Sequence, residues 1–131
     1  MRRVVNSVIV LLGGPTVVVR GRRSGRLIRT PVPPFPFEGQ RYLVSGYGQT
    51  QWARNLRAAG QGTLHRGRSR EAFQATELVG LDRDRIIAAY RERLGRRVAG
   101  MFEALPDAAD HPVFRLEVLP SGAERDSSVM G

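Results

Sequence analysis

Apolar residues near the amino end fall at Val4, Val5, Val8, Ile9, Leu11 and Leu12, a spacing that lines one face of a helix. Gly13, Gly14 and Pro15 then close it, because glycine accepts a left-handed cap and proline cannot continue the turn. The next segments, Thr16–Arg20 and Leu27–Val32, are rich in β-branched residues and flank a glycine-containing turn, which predicts a hairpin. Pro31, Pro33, Pro34 and Pro36 forbid a long central strand and point to an edge or an irregular exit. Glu38-Gly39-Gln40 reads as a turn and Arg41–Ser45 as a third strand.

Trp52–Ala59 has the length of a short helix, with Thr50 as its N-cap and Gly60 just past its end. Thr63–Arg66 and Glu71–Leu78 pair across Gly67-Arg68 as another hairpin. A longer helix starts near Asp82, where acidic residues suit the positive end of the helix dipole. Its core stripe is Ile86, Tyr90, Leu94, Val98, Met101 or Phe102, and Leu105, with Gly95 and Gly100 as points where it breaks in two. Val113–Val118 alternates as a last strand, and residues 121–131 read as a flexible, frayed tail. About six short strands joined mostly by hairpins, with two or three helices, favour antiparallel pairing. The expected fold is mainly β (α+β), a small barrel or sandwich with packed helices, as a single domain over residues 1–120.

Length and composition fit this picture. The chain has 131 residues, enough for one modest core, and its 41% hydrophobic and 25% charged content is that of a globular domain. Charge adds something new. The formal net charge is +9, and all 21 basic residues are arginine. Arginine in place of lysine reflects a GC-rich coding bias, but that bias creates no net charge. The excess over 12 acidic residues therefore divides between solvated faces and at least one anion site. The lack of cysteine excludes disulfides, thiol nucleophiles and iron–sulfur clusters, and the two histidines, His65 and His111, are too few for a usual catalytic metal centre. No stretch is long enough to cross a bilayer. The amino end imitates a signal peptide but has no small-x-small cleavage site, so a cytoplasmic location is expected. Peripheral membrane contact through the first helix is the minority reading.

Two stretches could carry chemistry. Residues 21–25, GRRSG, offer successive backbone N–H groups, a serine hydroxyl and two guanidinium groups. Backbone nests of this kind bind anions, and the planar arginine fork matches phosphate oxygens in pairs. A solvated polar turn is the plain alternative. Residues 45–60, SGYGQTQWARNLRAAG, place a glycine-rich loop at a helix start. Gly46 and Gly48 make only half of a dinucleotide fingerprint and no βαβ unit surrounds them, which rejects a Rossmann site. On the helix, Trp52, Asn55, Leu56 and Ala59 share one face, where a core role outweighs ligand contact and a buried asparagine must find a partner.

The order GRRSG, RTP, GQRYLVSGYG, QWARNLRAAG and HPVFRL resembles the deazaflavin-dependent nitroreductase family over nearly the whole chain, from about Leu11 to Leu119. The resemblance implies a split β-barrel and coenzyme F420, a phosphorylated deazaflavin with an anionic tail. It implies that Arg22, Arg23, Ser24 and Gly25 face the phosphate and tail, with Arg29 a further cofactor-binding candidate. Thr30, Pro31 and Val32, Ser45, Gly46, Tyr47 and Gly48, and Trp52, Asn55 and Leu56 would line the ring side. The implied activity is hydride transfer to a quinone-like, nitro or other conjugated small molecule, with Tyr47 and Tyr90 as candidate proton donors. For Tyr90 a core position is the favoured alternative. FMN, used by related split barrels, is the alternative cofactor. A non-catalytic barrel binding cofactor or nucleic acid is the other class, although Arg20–Arg29 holds none of the aromatics that nucleic-acid binding favours. A homodimer is compatible with the resemblance.

Two departures set up tests. Better-known members carry an arginine three residues after GRKSG, whereas here Ile28 stands there and the arginine is Arg29. A one-residue slip turns a side chain to the opposite sheet face unless a bulge restores it. Members that reduce nitro compounds also carry tyrosines in the later helical region, where this chain has Phe102.

Overall fold

The computed structural model describes residues 14–120. The expected first helix and the tail lie outside the described residues. Among the described residues seven strands form one antiparallel sheet: β1 (Thr16–Arg20), β2 (Leu27–Thr30), β3 (Phe35–Phe37), β4 (Gln40–Val44), β5 (Gln61–Arg66), β6 (Ser69–Leu78) and β7 (Val113–Val118). Their spatial order is β2-β1-β5-β6-β7-β4-β3. Among the described residues three α-helices pack on the sheet: α1 (Gln51–Ala59), α2 (Gly80–Leu94) and α3 (Ala99–Ala104), with single 3₁₀ turns at Gly95–Arg97 and Ala108–Asp110. The class is α+β, as expected, with one strand more than the sequence suggested.

That extra strand is Phe35–Phe37, which pairs with β4 at the sheet's edge. Edge placement is what a strand containing Pro36 requires, since proline donates nothing to a ladder. Glu38 and Gly39 both have positive φ, the geometry that joins two antiparallel strands most tightly. Arginines from α2 cover this edge: Arg93 donates to the Pro36 carbonyl at 3.0 Å and sits over Phe35, while Arg85 sits over Phe37 and pairs with Glu38. Covering an edge in this way blocks pairing with other chains.

The alternating strands bury both faces. Val17, Val19, Leu43, Leu64, Phe73, Phe114 and Leu116 form one core with Ala53 and Leu56 of α1. Tyr42, Val44, Leu78 and Val113 form a second with Ile86 and Ile87 of α2 and with Phe102 of α3. Arg57 fixes α1 across the sheet through a two-pronged pair with Glu77 of β6, at 2.6 and 2.7 Å. Thr50 caps α1 by accepting the Ala53 N–H, and Gly60 ends it in the left-handed conformation, both as expected. The long helix breaks at Gly95, also as expected, whereas Gly100 lies inside α3.

Candidate functional site

The turn between β1 and β2 is held by its own backbone. The Gly21 N–H donates to the Arg26 carbonyl at 2.7 Å, and the Gly25 N–H to the Gly21 carbonyl at 2.9 Å. Ser24 Oγ accepts the Arg26 N–H at 3.2 Å, so the serine hydroxyl shapes the turn. Arg20 Nη1 donates to the Gly25 carbonyl at 2.6 Å. A side chain at Gly21 would meet Ser24 Oγ at 2.8 Å and Ile28 at 2.9 Å, and Gly25 has a φ of +72°. Both glycines are needed for the chain to turn here.

The two arginines of the turn have separate fates. Arg22 bends back onto α1: its N–H and its Nη1 both donate to Asn55 Oδ1, at 3.1 and 2.7 Å, and Nη1 also donates to Gln51 Oε1 at 2.9 Å. Asn55 is buried, and this is the partner that burial demands. Arg23 points outward and makes no ion pair among the described residues. The N–H groups of Arg23 and Ser24 take no part in the turn's own hydrogen bonds. Beside them lies a shallow depression of about 480 Å³, bordered by the turn from Arg20 to Gly25 and by Ala58 and Ala59 of α1. Among the described residues, no acidic one borders it.

The second stretch, residues 45–50, turns its polar groups inward. Ser45 is 1% exposed; its N–H donates to the Pro112 carbonyl at 2.8 Å and its hydroxyl to the Gly48 carbonyl at 2.6 Å. With that proton committed, the Thr50 hydroxyl donates to Ser45 Oγ at 2.9 Å. The glycines admit side chains from the later helical region. A Cβ on Gly46 would strike the Met101 thioether, and one on Gly48 would meet Leu105 at 2.9 Å. Tyr47, between them, is 54% exposed.

The remaining expected residues fall in three places. Val32 and Leu56 are fully in the first core, and Trp52 packs against it with its ring 6.2 Å from Phe114. Thr30 and Pro31 are half-buried at the end of β2. Arg29 is elsewhere. The β1–β2 register runs without a bulge, pairing Ile28 with Val19 and Arg29 with Val18. Ile28 therefore shares the face of the turn's contact with α1, and Arg29 lies on the other face, 3.5 Å from His65 Nδ1. Tyr90 packs edge-on against Phe35 and Phe102, at 5.3 and 6.4 Å, within the second core. Burial raises its phenol pKa, and the nearby Tyr47 adds to the rise.

Several contributors were not singled out by the sequence. Gln51 joins Asn55 in holding Arg22, and Met101 and Leu105 close over the glycine loop. His111 is wholly buried, its ring packed at a tilt against Phe102 at 4.3 Å, and its Nε2 donates to the Leu105 carbonyl at 2.6 Å. Its Nδ1 has no hydrogen-bond partner among the described residues. The spacing of Gly46 and Gly48 was the signal for a close approach. Nothing in the sequence said by what.

A family model described as F420H(2)-dependent quinone reductase matches residues 2–101. The chain belongs to that family. Membership in the quinone reductase family makes the protein an oxidoreductase whose main cofactor is coenzyme F420. Among solved structures, an F420-H2 dependent reductase (FDR-A) shares the fold, with 20% identity, a TM-score of 0.60 and coverage of 79% of this chain and 92% of that one. The heme storage protein HutZ from Vibrio cholerae aligns with 16% identity and a TM-score of 0.59, over 81% of each chain. A comparison with curated proteins finds no match. Like this family member, those structures carry the split-barrel fold expected from the sequence. The turn also suits a phosphorylated cofactor: it offers an exposed guanidinium and two uncommitted N–H groups beside a depression that no acidic residue borders among the described residues.

Proposed function

We propose that the protein reduces a quinone-like or similarly conjugated small molecule, with the β1–β2 turn gripping the anionic arm of coenzyme F420. The observation that carries this reading is the division between Arg22 and Arg23. Arg22 fixes the turn against α1, and so Arg23 and the N–H groups of Arg23 and Ser24 are set in place before any ligand arrives. Donors that are already placed bind an anion without a further ordering cost. Charge-assisted hydrogen bonds of this kind contribute roughly 1.5–3 kcal/mol each.

When bound, the reduced deazaflavin supplies the hydride, and the surrounding chain orients the reactants and excludes water. The loop at 45–48 stands at the amino end of α1, and exposed Tyr47 is the group there that can contact an acceptor. Burial raises the Tyr90 phenol pKa further above its ordinary value, which disfavours its ionisation. Tyr47, exposed at the loop, is the group that hands a proton to a reduced acceptor.

Titration of the purified protein with coenzyme F420 and, separately, with FMN tests the reading. At 100 times its dissociation constant, coenzyme F420 should stabilise the fold by about 2.7 kcal/mol. FMN at the same concentration should stabilise it less. Reduced coenzyme F420 should then be oxidised by a naphthoquinone in the presence of the protein. Oxidation no faster than in buffer would reject the acceptor class.

A further inference from the structure

The face of β1, β2, β5 and β6 that points away from the first core carries a groove of about 680 Å³. Residues paired across strands share a face. Val18 with Arg29 and Thr63, Arg20 with Leu27, Thr63 with Ala72, and His65 with Arg70 all project to this side. The groove's apolar surface comes from Val18, Leu27, Ala72 and Leu119, and Leu27 is 64% exposed above it.

Arg20, Arg70 and His65 line the same groove, Arg29 contacts His65 at 3.5 Å, and among the described residues no acidic side chain lines it. Among the described residues neither Arg29 nor Arg70 makes an ion pair. The crowding of positive charge is felt by His65. Desolvation first, then the Arg70 and Arg29 guanidiniums, lower its pKa. Three guanidiniums gathered over an apolar floor repel one another until an anion sits among them. The volume falls within the range of small-molecule sites, about 300–1,000 Å³.

We propose that this groove binds a small amphipathic anion, its flat apolar body against Val18, Leu27, Ala72 and Leu119 and its charged head between Arg29 and Arg70. The site is distinct from the cofactor clasp, although Arg20 and Ala59 border both. Neutral molecules of the same shape gain the floor and not the head contacts, so they bind more weakly.

Anilinonaphthalene sulfonate and uncharged phenylnaphthylamine, two dyes that brighten on binding, test it on the whole protein. The sulfonate should bind saturably at one site, at least about tenfold more tightly than the neutral dye, a ratio one charge-assisted bond supplies. Arg70→Gln and Arg29→Gln should each weaken the sulfonate by about tenfold and leave the neutral dye and the melting temperature unchanged. Equal affinity for the two dyes, or sulfonate binding untouched by both variants, overturns the proposal. So does displacement of the sulfonate by coenzyme F420, which would place the dye in the cofactor's cleft. Coenzyme F420 binding without displacement supports it, and failure of the coenzyme to bind would count against the cofactor clasp alone.

Discussion

The turn at 21–26 and the loop at 45–50 are both glycine-rich, and in the sequence both suggest backbone laid bare for a ligand. Folded, they differ. The turn keeps an exposed arginine and two uncommitted N–H groups beside an open depression, while the loop's glycines are filled by Met101 and Leu105. A missing Cβ thus has two uses, to free the backbone for an anion or to seat a distant side chain. Only the neighbours decide which. The hydroxyls follow the same division, with Ser45 locked into the loop and Ser24 supporting its turn.

Crowding the loop should cost most. Gly46→Val is expected to destabilise the fold by about 1–3 kcal/mol through overpacking, and Met101→Ala in the same chain should recover part of that loss, as melting curves of the two variants and their combination would show. Freeing the turn should cost less. Arg22→Ala removes the side-chain bond to Asn55 but leaves the backbone one, so a loss of about 1 kcal/mol is expected in denaturant unfolding. Coenzyme affinity should fall with it as the turn loosens. An Arg22→Ala protein of unchanged stability would mean that the turn is not held by α1.

Much of this arrangement was readable before folding. Hairpins, the Thr50 and Gly60 caps and the last strand follow from local residue chemistry, and the structure places them as expected. The proline-rich segment was legible as an edge but not as a strand, because its pairing depends on β4. Asn55 announced that it needed a partner, yet the partner lay 33 positions away. Met101 and Leu105 lie still further from the glycines they cover, and no local pattern encodes such a contact. For the shifted Arg29 the strand periodicity posed the question of its face but left a bulge open, and the bulge-free ladder turns it away from the α1 side.

That shift gives a smaller prediction. Arg29→Ala should change coenzyme F420 affinity by less than about twofold, because a contact facing the other side of the sheet contributes nothing to the clasp. A tenfold loss in a binding titration would move the cofactor to the Arg29 face. The smallest effect expected is with pH. His65 has a lowered pKa in the folded state, so the folded protein binds fewer protons than the unfolded chain near its ordinary value of 6.5. Stability should therefore rise slightly as pH increases through the window from the folded pKa up to that value. His65→Gln should flatten the slope in chemical denaturation at a series of pH values.

The clasp itself is tested most directly by the dissociation constant of coenzyme F420 for Arg23→Ala, measured by the ligand's fluorescence beside the unmodified protein. About tenfold weaker binding at an unchanged melting temperature is predicted, the loss of one charge-assisted bond from a turn that Arg22 still holds. Equal affinity in the two proteins would contradict the assignment of the turn to the cofactor's anionic arm.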